Sequence, residues 1–194
     1  MPHPTDLDTR TGLSEEMLFL LRQHPRDVWQ RHPNLGGMAR FWLDRHNGFR
    51  QLGGVLEDAL SRFREGEMEP AAFGGFFAPR LQHFLSELHH HHMIEDQHYF
   101  PVFVAAETRL TRGFEVLEGD HEAIHELIEQ VIASANGLLG HLQGTDRDAI
   151  RRAADGYSGD SGRLIGGLMR HLDDEEDLIV PLILERGEGP LGIG

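Results

Sequence analysis

The stretches His91-His-Met-Ile-Glu95-Asp-Gln-His-Tyr-Phe-Pro101 and His171-Leu-Asp-Asp-Glu175-Glu-Asp-Leu-Ile-Val-Pro181 both read H-x3-E-x5-P, and they lie 80 residues apart. Their apolar neighbours keep the same offset: Phe84 with Leu164, Leu85 with Ile165, Leu88 with Leu168 and Phe100 with Val180. A spacing shared over so long a stretch predicts two equivalent helices in a duplicated helix pair. His and Glu four residues apart stand one above the other on a helix face. Each helix can therefore offer an imidazole and a carboxylate to the same ion.

Outward from these two stretches the chain reads as helix throughout. Apolar residues recur at three- and four-residue steps over about 35–64 (Met38, Trp42, Phe49, Leu56, Leu60, Phe63) and 71–107 (Phe77, Leu81, Phe84, Leu85, Leu88, Tyr99, Phe103). They do so again over 111–141 (Phe114, Leu117, Ile124, Ile128, Ile132) and 146–185 (Leu164, Leu168, Leu172, Leu178, Leu182). Alternating β-branched runs are absent. Four long helices with short connections predict an all-α, up-down-up-down four-helix bundle over residues 35–186. Residues 1–34 form an extension with a short helix begun at Ser14, and residues 187–194 are expected to be a flexible tail. The glycine-rich run Asp155–Gly162 is the expected weak point of the fourth helix.

The other two helices supply matching imidazoles. His46 lies between Trp42 and Phe49, and His121 and His125 flank Ile124 at i, i+4. His46, His91, Glu95, His121, His125, His171 and Glu175 thus face one interior, which makes a dinuclear metal site. Of the run His89–His92, His91 is favoured because Glu95 follows at i+4, and His92 with Asp96 is the alternative shifted by one residue. Asp44, Glu122, Asp173, Asp174 and Asp177 read as a solvated acidic face. Trp42, Phe49, Phe84 and Phe100 read as core that keeps the site dry.

Composition supports imidazole and carboxylate chemistry by elimination. Among 194 residues there are 14 His, no Cys and 18 basic residues, every one of them Arg. Thiolate ligands, Fe–S clusters, disulfides and lysine Schiff bases are excluded. A formal charge of −14 disfavours nucleic acid as a partner. No apolar run reaches the ~20 residues of a membrane span, and the first residues lack an apolar leader. A cytoplasmic protein with no membrane partner is the expectation.

Over about residues 35–186 the chain resembles the hemerythrin family, specifically its HHE cation-binding branch. H-x3-E occurs twice and H-x3-H once, in the expected order. The resemblance implies two non-haem, carboxylate-bridged Fe ions, with Zn or Mn also compatible with such ligands. It implies one iron on His121, His125 and His171, the other on His46 and His91 with an open position, and bridges from Glu95 and Glu175. Hemerythrins proper place the last carboxylate five residues after its His, which selects Glu176; the internal repeat selects Glu175.

The implied function is binding or sensing of O2 or a related small oxidant such as NO or peroxide. A metal- and oxygen-binding module is favoured over a catalyst. The alternative is a di-iron oxidoreductase or an iron-supplying repair protein using the same site. A homodimer is left open, and a sensor would need a separate protein partner. Three rivals are weaker. His121-Glu-Ala-Ile-His125 matches the short zinc-protease motif but lacks its extension. A ferritin-like pair of E-x-x-H motifs fails at Leu178. Bis-His haem ligation leaves the paired carboxylates without a purpose.

Overall fold

The computed structural model describes residues 6–194 and contains no strand among them. Two short helices, α1 (Phe19–Gln23) and α2 (Arg26–Trp29), precede the long ones. Then come α3 (Gly37–Arg64) and α4 (Pro70–Ile94), followed by one π turn over Glu95–Tyr99 and α5 (Phe100–Ala106). A 3-10 turn over Thr108–Leu110 leads into α6 (Thr111–His141), α7 (Arg147–Arg186) and the short α8 (Glu188–Leu191). The fold is an all-α helical bundle. No helix among the described residues is long and apolar enough to cross a membrane.

Local chemistry sets the helix ends. The first N–H groups of a helix lack intrahelical acceptors. At α3 one of them, Ala39 N–H, donates to Glu188 Oε1 at 2.8 Å. Gly36 permits this approach, because a Cβ there would run into the Glu188 carboxylate. At its other end α3 closes with Glu67 N–H on Arg62 C=O and Gly66 N–H on Phe63 C=O. Gly66 takes the left-handed φ of +82° that this closure requires. Pro70 opens α4, where its missing N–H costs nothing.

The contacts group the chain into two compact units, and each long helix contributes to both. One unit holds the residues up to Asn47 with His91–Glu122 and Leu168–Gly194; the other holds Gly48–His90 and Ala123–Gly167. The first has a core of Trp42, Phe100, Phe103, Phe114 and Leu117 with Leu178–Leu184 of α7. Leu20, Trp29 and Leu35 from the segment ahead of α3 are buried in that same core. The second unit is centred on aromatic contacts, with Phe63 stacked on Phe73 at 4.2 Å and Phe73 on Phe77 at 4.7 Å.

Several sequence expectations change here. The run Asp155–Gly162 does not break α7, which continues for 40 residues. Residues 187–194, expected as a flexible tail, contain α8, bury Leu191 and cap α3. The periodicity of α6 drifts by one position: Val131 is buried, whereas Ile132 is 44% exposed. Ile132 instead lines a groove of about 570 Å³ in the second unit with Leu81, Leu85, His89, His125 and Ile128. The supposed acidic face is not all solvated, since Asp174 is only 5% exposed. It is paired with a buried arginine.

Candidate metal centre

Within the first unit, α3 carries Trp42 and His46 and the end of α4 carries His91 and His92. The π turn begins with Glu95, α6 brings Asp120 and His121, and α7 brings His171, Glu175 and Glu176. Two donor groups result: His92, His121 and His171 in one, and His46, His91, Glu95 and Glu175 in the other. Within each, one ligand atom from every residue lies within 4.8 Å of the rest. The imidazoles meet nitrogen to nitrogen, His121 Nε2 being 3.1 Å from His171 Nε2 and His46 Nε2 being 3.2 Å from His91 Nε2.

Both carboxylates reach both groups. Glu95 Oε1 lies 2.9 Å from His91 Nε2, and its Oε2 lies 3.6 Å from His121 Nε2. Glu175 Oε2 is 3.5 Å from His46 Nε2 and 3.3 Å from His171 Nε2. Its Oε1 accepts a 2.9 Å hydrogen bond from Trp42 Nε1–H. Helical geometry explains the first bridge. Residues advance ~100° each, so Glu95 stands ~40° from His91 and ~60° to the other side of His92. Adjacent histidines therefore straddle their carboxylate, and each faces a different group.

These atoms are buried and poorly satisfied without a cation. His92 Nε2, both oxygens of Glu95 and Glu175 Oε2 are enclosed and have no aligned hydrogen-bond partner. One such orphan costs on the order of 1–3 kcal/mol, and more when charged. Four of them aimed at neighbouring donors fit a site built for positive charge, and imidazole plus carboxylate is a donor set that iron, manganese and zinc all accept.

The outer nitrogens of three imidazoles are held by carboxylates. His121 Nδ1 is 2.7 Å from Asp96 Oδ1, His171 Nδ1 is 3.2 Å from Asp120 Oδ2, and His46 Nδ1 is 3.1 Å from Glu176 Oε1. The holders pass around the site: the π turn holds α6, α6 holds α7, and α7 holds α3. Each carboxylate fixes Nδ1 as the protonated nitrogen and turns Nε2 inward as the ligand atom.

Proton affinities follow from the same contacts. Burial pushes the imidazoles of His91, His92 and His121 below their ordinary value, favouring the neutral form that can bind a metal. Burial also pushes the Glu95 carboxyl well up, with the charge of Glu175 adding to it. In Glu175 burial acts upward too, but His46 and His171 outweigh it and hold the carboxyl down. At His171 burial acts downward, yet hydrogen bonds with Asp120 and Glu175 prevail and raise it to about 9. Metal binding displaces such protons.

Six of the seven residues singled out from sequence come together: His46, His91, Glu95, His121, His171 and Glu175. His125 belongs to neither group. It falls in the second unit, 52% exposed, with Nε2 3.6 Å from Glu129 and its ring 5.2 Å from that of His89. His92 is the third imidazole beside His121 and His171, stacked on the His121 ring at 4.0 Å. The two one-residue alternatives therefore resolve into different positions. His91 and His92 are both inward, with Asp96 behind His121; Glu175 is inward, with Glu176 behind His46. Asp120 carried no spacing signal, because its partner His171 is far away in sequence.

A helical bundle with paired imidazole–carboxylate groups in its interior defines a cation-binding protein. The chain belongs to the hemerythrin family: the model of the hemerythrin HHE cation-binding domain matches residues 37–183. No curated protein and no solved structure matches it.

Proposed function

We propose that the chain is a non-haem di-iron protein that binds or senses O2 or a related small oxidant, NO or peroxide. The observation that carries this reading is the asymmetry of the two donor groups. Glu95 and Glu175 lie beside imidazoles of both groups, but three imidazoles face one position and only two, His46 and His91, face the other. An ion held there has room for one more ligand. Two irons would supply electrons to a small oxidant bound at that place.

The chain's own residues keep water away from the poorer position. Trp42 sets its ring 6.3 Å from those of His46 and His91 and is itself packed by Tyr99 at 5.0 Å and Phe103 at 5.9 Å. Its indole N–H fixes the orientation of Glu175. An apolar wall of this kind favours a small neutral ligand over hydrated anions.

The test is anaerobic reconstitution with iron(II), metal counting, and optical spectra before air, after air and after renewed deoxygenation. Two irons per chain and a spectrum that returns to its starting form support a carrier or sensor. Multiple-turnover consumption of the oxidant supports the di-iron oxidoreductase instead. Failure to retain more than one iron, or a spectrum indifferent to air, sinks the proposal.

A further inference from the structure

We infer that the segment ahead of the matched domain completes the metal centre. Arg10 and Arg26 act as positioning residues, each fixing through one carboxylate the imidazole that serves one ion position. This rests on the di-metal reading above.

The Arg10 side chain is 1% exposed, inside the protein rather than on it. Its Nη1–H donates to Asp120 Oδ1 at 2.6 Å, Nη2–H donates to Asp120 Oδ2, and Nε–H donates to Asp174 Oδ2 at 2.7 Å. Asp120 Oδ2 is the atom that faces His171 Nδ1. The series therefore runs Arg10, Asp120, His171, and ends in the three-imidazole group. Arg26 builds a second series. Its Nη1–H donates to Glu176 Oε2 at 3.0 Å, and Glu176 Oε1 faces His46 Nδ1 in the two-imidazole group. Arg26 is fixed in turn by Asp177 Oδ1 at 2.7 Å and the Asp173 carbonyl at 2.9 Å.

The third imidazole held by a carboxylate shows why arginines stand at these two places. Asp96, behind His121, has a side chain 40% exposed, so water can solvate it. Asp120 and Glu176 have side chains only 3% and 5% exposed. A carboxylate buried without a partner carries its charge away from water at a cost and has nothing to fix its orientation towards the imidazole. Guanidinium supplies the partner charge and a planar fork that fixes the carboxylate's orientation, which an ammonium cannot do.

An arginine that merely fastened the extension would affect both ion positions alike; a positioning arginine affects one. Cobalt(II) titration of the full chain against a chelator, read by its visible absorption, separates the two. The chain with natural residues is expected to bind two cobalt ions. Arg10→Met should weaken the His92/His121/His171 position about 10–100-fold and Arg26→Gln the His46/His91 position by a similar or smaller factor. A His91→Ala background, which keeps the three-imidazole position, should preserve the Arg10→Met effect and abolish that of Arg26→Gln. His92→Ala should reverse the pattern.

Equal weakening at both positions, or unchanged titrations, overturns the inference. Should Arg10→Met fail to fold, the Arg26 variants decide alone, since that guanidinium is 45% exposed. A natural chain that binds no cobalt defeats the di-metal reading itself. One that binds two ions while ignoring both arginines defeats only the present inference.

Discussion

In the first copy of the repeat, Glu95–Tyr99 winds into a π turn and Pro101 sits in the first turn of a new helix, α5. In the second copy, Pro181 lies inside α7, which runs unbroken through the whole stretch. The donors differ in parallel. The first copy turns two neighbouring imidazoles inward, His91 and His92, whereas the second pairs His171 with a buried Leu172. The residue after each glutamate plays one role in both: Asp96 holds His121 and Glu176 holds His46. The two copies share the carboxylate and differ in how many imidazoles they turn inward. That difference gives the two donor groups unequal numbers of imidazoles, three in one and two in the other.

The glutamates are the strongest test of equivalence between the copies. Glu95→Ala and Glu175→Ala should each reduce iron from two to below one per chain by elemental analysis, because each removes a donor from both positions. A variant that keeps both ions would show that its copy does not bridge. Next in size is His92→Leu, which makes the first copy resemble the second. It should weaken one ion position by at least about 100-fold, somewhat beyond the ~10–100-fold typical of outer partners, and leave the other intact. His125→Ala should leave both unchanged, and the opposite result would return the third imidazole to His125.

Asp96→Asn and Glu176→Gln should each cost about tenfold in affinity, at His121's position and His46's position respectively. Chelator competition measures both, and a loss at the same position would contradict the pairing of Asp96 with His121 and of Glu176 with His46.

The smallest effect concerns stability after the first copy, where α5 stops at Glu107. Hydrogen bonds from Arg109, with Arg186 adding another, hold the Glu107 carboxyl down to about 2 against an ordinary 4.5. Its folded value lies below its unfolded one, so its stabilisation is complete above about 4.5 and lost as pH falls from there through about 2. Glu107→Gln should therefore lower unfolding free energy by ~1 kcal/mol near neutral pH, the partly exposed arginines screening the rest. Denaturant melts of both proteins should converge towards pH 2, and a constant gap would refute the assignment.

The helices and most of the site were legible because the signals are local. A three- or four-residue rhythm marks each long helix, and H-x3-E marks a shared helix face. What escaped reading depends on partners distant in sequence or on backbone hydrogen bonding. The π turn leaves no trace in hydrophobic spacing, and residues 71–107 therefore read as one continuous helix. His92 was hidden beside His91 because only one of two neighbours is expected to face a given ion, and here the two face different donor groups. Asp174 looked solvated among acidic residues until Arg10, 164 residues away, was seen to reach it. His125 fitted the i, i+4 rule with His121, but that rule places residues on a face and does not say where along the helix a site ends.

The cap that Glu188 places on α3 joins residues 149 positions apart. At ~5–20 residues per second of synthesis, α3 and its His46 emerge on the order of ten seconds before the carboxylate that closes the helix. Glu175, which His46 faces across the site, is made nearly as late. During translation the early imidazoles therefore exist without this carboxylate, so the group of His46, His91, Glu95 and Glu175 is complete only once nearly all of the matched domain has been made.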